Sequence, residues 1–252
     1  MSQLVEIEND LEIKGIIEST FLDWDGKVVT TVYLPKCNLK CPFCHNWELI
    51  EKPENFITIS ISDLDRHLRE NKDFLDGVCI TGGEPTLYQG LTWLIDHIKD
   101  LGLKIKLDTN GTAPEFIKEL IENKKIDYIA MDIKAPFKDK NKKIEDYDKY
   151  HKLAGVKLDL ENIKRSIKII MNSNIDYEFR TTMVPTLVDE EDVKELSKDL
   201  SGAKKYVLQQ FVPDHARLPR LRKVKPYSKE DMEHFKEIAE QIIVKVTLRG
   251  VK

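Results

Sequence analysis

Between about residues 27 and 212 the chain alternates short apolar strands with amphipathic helices, and this alternation leaves few folds open. Strand patterning covers 27–34, Gly77–Ile80, Lys104–Leu107, Asp127–Met131, Asp176–Phe179 and Tyr206–Leu208. Helical spacing fills Ile61–Arg69 (capped by Ser62 or Asp63), Leu91–Leu101, Pro114–Asn123, Leu158–Met171 and Asp189–Leu200. Strands joined through helices run parallel, with right-handed crossovers. A strand over 13–22, turned at Asp25-Gly26, precedes the set. A helix from Lys229 to Gln241 and an apolar tail, Ile242–Leu248, able to pair as a strand, come after it. The expected architecture is α/β: a partial six-fold β/α barrel of the TIM-like kind, with a short N-terminal strand and C-terminal helical and strand extensions. No Gly-, Pro- or Ser-rich linker divides residues 1–252, so one domain is expected, with its barrel core at about 27–212 and an extension at about 213–252. The lysine- and aspartate-rich stretch 137–152 is expected to be a solvated excursion.

The residues just beyond each strand say more than the number of strands. In chain order the strand ends lead into Cys37, Glu84, Asp108, Asp132 with Lys134, Arg180, and Gln209-Gln210. In β/α barrels the C-terminal strand ends converge on one mouth, and reactive groups gather there. Polar residues scattered at random would not choose that end repeatedly.

The first of these loops carries Cys37, Cys41 and Cys44 at C-x3-C-x2-C spacing, three of the protein's four cysteines within eight residues. Pro35 and Pro42 bend the stretch, so the thiolates can converge on one centre but cannot all bury as core. Soft sulfur ligands suit an iron–sulfur cluster or zinc. A closed zinc site takes four ligands, as does a cluster held by cysteine alone, so three leave one metal position open for chemistry. The residues themselves leave two other possibilities: a zinc knuckle completed by His45 or a distant histidine, acting as an interaction module, or a disulfide with a spare thiol. Cys79, inside an apolar strand, is expected to be a small core residue.

Composition narrows the setting. A chain of 252 residues with 41% hydrophobic and 33% charged residues is long enough for one substantial core. A net charge of −4 gives no broad pull toward nucleic acid or an anionic membrane. Residues 1–14 are acidic and mixed, unlike a secretory leader, and no apolar run approaches membrane length. A reducing, cytoplasmic setting is expected, which suits unpaired thiols.

The cysteine triplet, joined by Thr81-Gly82-Gly83-Glu84-Pro85 at the end of the next core strand, resembles the radical S-adenosylmethionine (radical SAM) superfamily. The resemblance implies that Cys37, Cys41 and Cys44 hold one 4Fe–4S cluster whose open iron is chelated by S-adenosyl-L-methionine. One-electron cleavage of that cofactor then gives methionine and a 5′-deoxyadenosyl radical. It further implies that Phe43 lies where adenine packs, that Gly82 and Gly83 let the backbone approach the cofactor, and that Glu84 meets its amino group.

Cys44-His45-Asn46, Leu107-Asp108-Thr109-Asn110-Gly111 and Met131-Asp132-Ile133-Lys134 resemble the glycyl-radical-enzyme activating enzymes within that superfamily, over roughly residues 14–212. The likeness is strongest to activating proteins of anaerobic ribonucleoside-triphosphate reductase. It implies that Asp108 and Asp132 lie beside the cofactor's methionine end, where a monovalent cation can balance charge. Lys134 and Arg180 are then expected to meet its carboxylate or ribose, while Asp132 and Lys134 could equally form a structural ion pair. The expected activity is an oxidoreductase that takes hydrogen from a glycine of a partner glycyl-radical enzyme, with flavodoxin or ferredoxin as electron donor. A radical SAM enzyme acting on a pterin or nucleoside precursor is the alternative. His215 and the basic stretch Arg217–Lys225 could dock a partner, cover the mouth or form an ordinary solvated loop.

Overall fold

The computed structural model describes residues 11–137 and 149–251. In chain order it contains β1 (Gly15–Thr20), β2 (Val29–Leu34), α1 (Trp47–Glu51), α2 (Ile61–Asn71) and β3 (Gly77–Gly82). Next come α3 (Leu91–Asp100), β4 (Lys104–Thr109), α4 (Pro114–Glu122), β5 (Tyr128–Asp132), α5 (Lys149–Ala154) and α6 (Leu160–Met171). The remainder is β6 (Asp176–Met183), α7 (Glu190–Asp199), β7 (Tyr206–Gln210), α8 (Lys229–Glu240) and β8 (Val246–Arg249).

All eight strands form one sheet in sequence order, β1 to β8, and the two edges do not pair with each other. β1 runs antiparallel to β2, and every later neighbour is parallel. The result is an incomplete α/β barrel with a seam between β1 and β8. The apolar tail forms a strand, as expected, although over Val246–Arg249 rather than 242–248.

Strand alternation sends one set of side chains outward beneath the helices and the next set inward. Ile80, Ile105, Leu107 and Ile129 are fully buried in the apolar core with Leu94, Ile95 and Ile98 of α3 and Ile117 of α4. Inward-facing positions are polar instead: Lys106 and Asp108 on β4, Glu178 and Arg180 on β6. The ends of the helices are set locally. Ser60, not Ser62 or Asp63, caps α2 by accepting from Asp63 N, and Asp189 and Ser228 form capping boxes at α7 and α8.

The excursion expected over 137–152 needs correction at its end. Residues 138–148 lie outside the described residues, but α5 begins at Lys149 and buries Tyr150, Leu153 and Ala154. Among the described residues, no helix is long and apolar enough to cross a membrane.

Candidate active site

The loop after β2 carries the cysteine triplet and is pinned from several directions. From β3, Gly83 N donates to Leu34 O at 2.7 Å and Glu84 N to Lys36 O at 2.7 Å. Asn110 Nδ2 donates to Asn38 Oδ1 at 2.8 Å, and Asn38 Nδ2 donates to Thr112 Oγ1 at 2.9 Å, which ties the loop to the turn after β4. Lys40 N donates to Ala154 O at 2.8 Å, at the end of α5. Asn46 Nδ2 holds Gly82 O at 2.8 Å. From the far end of the chain, Leu218 N donates to Pro42 O at 2.9 Å, and His45 Nε2 donates to Val212 O.

The glycines here serve the backbone first. A Cβ on Gly82 (φ +111°) would stand 2.4 Å from Leu34 O, and one on Gly83 2.1 Å from Lys36 O. Their bareness lets β3 close onto the cysteine loop, and both glycines also line the cavity described next. Gly155 (φ +72°) does the same for α5, where a Cβ would meet Lys40 O at 2.0 Å.

Cys37, Cys41 and Cys44 are free thiols on the wall of one cavity of about 420 Å³. Phe43, Gly82, Gly83, Asp108, Asp132, Lys134 and Arg180 line the same cavity, and Leu22, Tyr33, Thr182, Gln209, Gln210 and Arg249 line its seam-side wall. Burial pushes the Cys37 thiol up to about 12 and the Cys44 thiol up to about 11, and raises Cys41 as well. A bound metal must therefore supply the drive to thiolate. Among the described residues, no three His, Cys, Asp or Glu side chains are grouped closely enough to hold one ion. Three free thiols on the wall of one shared cavity are a soft donor set that fits a 4Fe–4S cluster.

Opposite the thiols, Arg180 bridges two strands. Its Nε donates to Asp132 Oδ1 at 2.8 Å and its Nη1 to Asp108 Oδ2 at 2.9 Å. Lys134 Nζ closes on Asp132 Oδ2 at 2.9 Å, and Lys106, 1% exposed on β4, pairs with Asp108 Oδ1. Burial would raise both carboxyls, but Arg180 and the two lysines outweigh it and hold them below the usual carboxylate range. These aspartates have side-chain counter-charges in Lys106, Lys134 and Arg180. The Asp132–Lys134 ion pair forms, and both residues still line the cavity. Lys134 Nζ also lies 5.9 Å from the centre of the Phe43 ring.

Glu84 departs from expectation. It is fully buried and is not among the residues lining the cavity. Its oxygens accept from Thr86 N and Oγ1, from Thr109 Oγ1 at 2.7 Å and from Asn110 N at 2.6 Å. Its carboxylate braces the two turns that pin the cysteine loop and is not presented to a ligand. Cys79 is buried against Trp24 and Val29, as a core residue should be, yet its sulfur lies 3.7 Å from Lys106 Nζ and 3.8 Å from Asp108 Oδ1. Sequence reasoning missed Lys106, Asn38 and the α5 brace. Gly155 at the end of a short apolar segment was the available signal for the last.

The Radical SAM superfamily profile matches residues 31–200. This chain belongs to the radical SAM superfamily. It is therefore a radical SAM enzyme, with a 4Fe–4S cluster and S-adenosylmethionine as its cofactors. A relative in Methanocaldococcus jannaschii, provisionally named a glycyl-radical enzyme activating enzyme, is 33% identical over 246 residues, covering 95% of this chain and 96% of that one. The 7-carboxy-7-deazaguanine synthase of Neisseria meningitidis is 31% identical over 172 residues, covering 66% of this chain and 70% of its own. Streptococcus suis SuiB bound to S-adenosylmethionine superposes with a TM-score of 0.62 at 19% identity, over 86% of this chain and 48% of SuiB. This chain spans about half of SuiB's length, and the likeness shows the shared radical SAM fold alone.

Proposed function

We propose that this radical SAM enzyme is an activase, which takes a hydrogen atom from a glycine of a separate glycyl-radical enzyme, with anaerobic ribonucleotide reductase the leading candidate. The observation that carries this reading is the near full-length similarity to the M. jannaschii relative. The open seam between β1 and β8 supports it, because a polypeptide needs a wider entry than a metabolite does. When bound, the cluster and S-adenosylmethionine supply one-electron cleavage to a 5′-deoxyadenosyl radical. In this reading Cys37, Cys41 and Cys44 hold the cluster, Phe43 offers an apolar face, and Lys134 and Arg180 orient the methionine end by charge. Asp108 and Asp132 hold those two cations in place. No side chain has to act as acid or base. A low-potential carrier of the flavodoxin or ferredoxin class is the electron source.

A second reading, a nitrogen-heterocycle substrate, is favoured by the similarity to the deazaguanine synthase. The two separate in one experiment. The reconstituted protein is incubated without oxygen with S-adenosylmethionine, a reductant and each glycyl-radical enzyme of the same organism. A glycine-centred doublet in the paramagnetic resonance spectrum is the expected result. Absence of the doublet with every partner, together with turnover of a pterin or nucleoside precursor, overturns the activase in favour of the second reading.

A further inference from the structure

The segment after β7 does more than cover the cysteine loop; it delivers a buried cation to it. Leu218 is bonded through its N–H to Pro42 O, between Cys41 and Cys44. The preceding residue, Arg217, has a side chain only 11% exposed, and its Nε is buried with no hydrogen-bond partner among the described residues. One terminal nitrogen, Nη2, reaches Oε1 of Glu51 at 3.1 Å, at the end of α1, and the Glu51 side chain is 43% exposed. The guanidinium is therefore held between the cysteine loop and the helix next to it in the chain.

A buried guanidinium with an orphaned donor is costly unless something nearby repays it. Glu51 repays little, since water screens a half-exposed carboxylate. We infer that Arg217 is a positioning residue of the cysteine centre: its charge offsets that of the cluster and its thiolates and raises the potential at which the cluster accepts its electron. Adding one electron makes the centre more negative, so a nearby cation favours the reduced form and a nearby anion disfavours it. Arg217 and Glu51 therefore pull the potential in opposite directions, with Arg217, the deeper charge, the stronger. This inference rests on the assignment of a cluster to Cys37, Cys41 and Cys44.

The test is an anaerobic redox titration of the reconstituted protein with dithionite, monitored by visible absorbance and paramagnetic resonance. Arg217→Gln should lower the midpoint potential, Glu51→Gln should raise it, and Arg217→Lys should return most of the way to wild type. A merely structural role for Arg217 predicts no such opposition of sign. Coincident potentials, or shifts of Arg217→Gln and Glu51→Gln in the same direction, overturn the inference while leaving the cluster assignment intact. If Arg217→Gln does not fold or take up iron, Glu51→Gln and Arg217→Lys decide alone: an unchanged potential in Glu51→Gln overturns the inference. If the wild-type protein takes up no cluster, the assignment and the inference fall together.

Discussion

Two ionic networks lie inside the barrel, one above the other, and they are built differently. The upper one joins Asp108 and Asp132 to Lys106, Lys134 and Arg180, three cations on two carboxylates, and four of its five members line the cavity. In the lower one, Arg249 grips Glu178 through Nη1 at 2.6 Å and Nη2 at 3.1 Å, Lys205 reaches Glu178 at 2.8 Å, and Tyr128 donates to it at 3.0 Å. Asp25, from the turn between β1 and β2, accepts from Lys205 at 2.6 Å and Arg249 at 3.2 Å, so the lower network balances two cations against two carboxylates across the seam. Glu178 and Arg180 sit two residues apart on β6 and point the same way, yet Glu178 belongs to the network that spans the seam and Arg180 to the one facing the cavity. A surplus cation facing open space is a site prepared for an anionic group. A balanced network that spans the seam holds the fold together.

Substitutions should separate the two. Cys41→Ala, on the cavity wall opposite the upper network, should abolish 5′-deoxyadenosine formation and iron uptake while leaving the circular dichroism spectrum unchanged. Retained cofactor cleavage in that variant would remove the thiols from the chemistry. Glu178→Gln should cost about 3–4 kcal/mol of stability by stranding Arg249 and Lys205, with cofactor cleavage by the folded fraction unaltered. Urea unfolding and a cleavage assay measure the two halves of that statement, and a specific loss of cleavage would merge the networks.

Acid should expose the same difference. Burial would raise Glu178, but Arg249, Arg180 and Lys205 outweigh it and place its carboxyl well below the usual range. A depressed carboxyl adds stability above its unfolded value, near about 4.3, and loses it as pH falls toward the folded value. Between pH ~5 and ~3, wild type should therefore lose more stability than Glu178→Gln, as read from urea midpoints. Parallel losses would mean that this carboxylate is not held by the fold. Arg180→Lys keeps the charge but cannot span Asp108 and Asp132, so S-adenosylmethionine affinity should fall roughly tenfold by calorimetry, with little change in melting temperature. The smallest effect belongs to Cys79→Ala: full iron content and a stability loss of about 1 kcal/mol, since only a small buried thiol goes.

Four of the five members of the upper network, Asp108, Asp132, Lys134 and Arg180, were legible in the sequence because each follows the apolar stretch of its strand, where a β/α barrel gathers its chemistry. The lower one was not. Glu178, Lys205 and Arg249 read as the polar half of an ordinary alternation, which in an antiparallel sheet would face water; only the barrel turns that face inward. Lys106 was hidden for the same reason, as Lys104-Ile105-Lys106 looks solvent-facing until the sheet curls. Glu84 shows the opposite limit. Its motif was unmistakable, yet nothing in the local sequence says that Thr86, Thr109 and Asn110 would claim its oxygens. The incomplete barrel itself could be read from the strand–helix alternation, whereas α5 and its contact with the cysteine loop left only Gly155 as a local sign.

The clamp on the cysteine loop also has a consequence for assembly. Val212 and Leu218, which pin His45 and Pro42, leave the ribosome long after the thiols they secure. Asp25 likewise waits for Arg249, 224 positions downstream. Pairings over such separations form slowly, because the chain must close large loops before any contact rewards it. Until then only the turns after β3 and β4 and the end of α5 can hold the three thiols, so iron delivered before the clamp arrives meets a ligand loop fastened on one side.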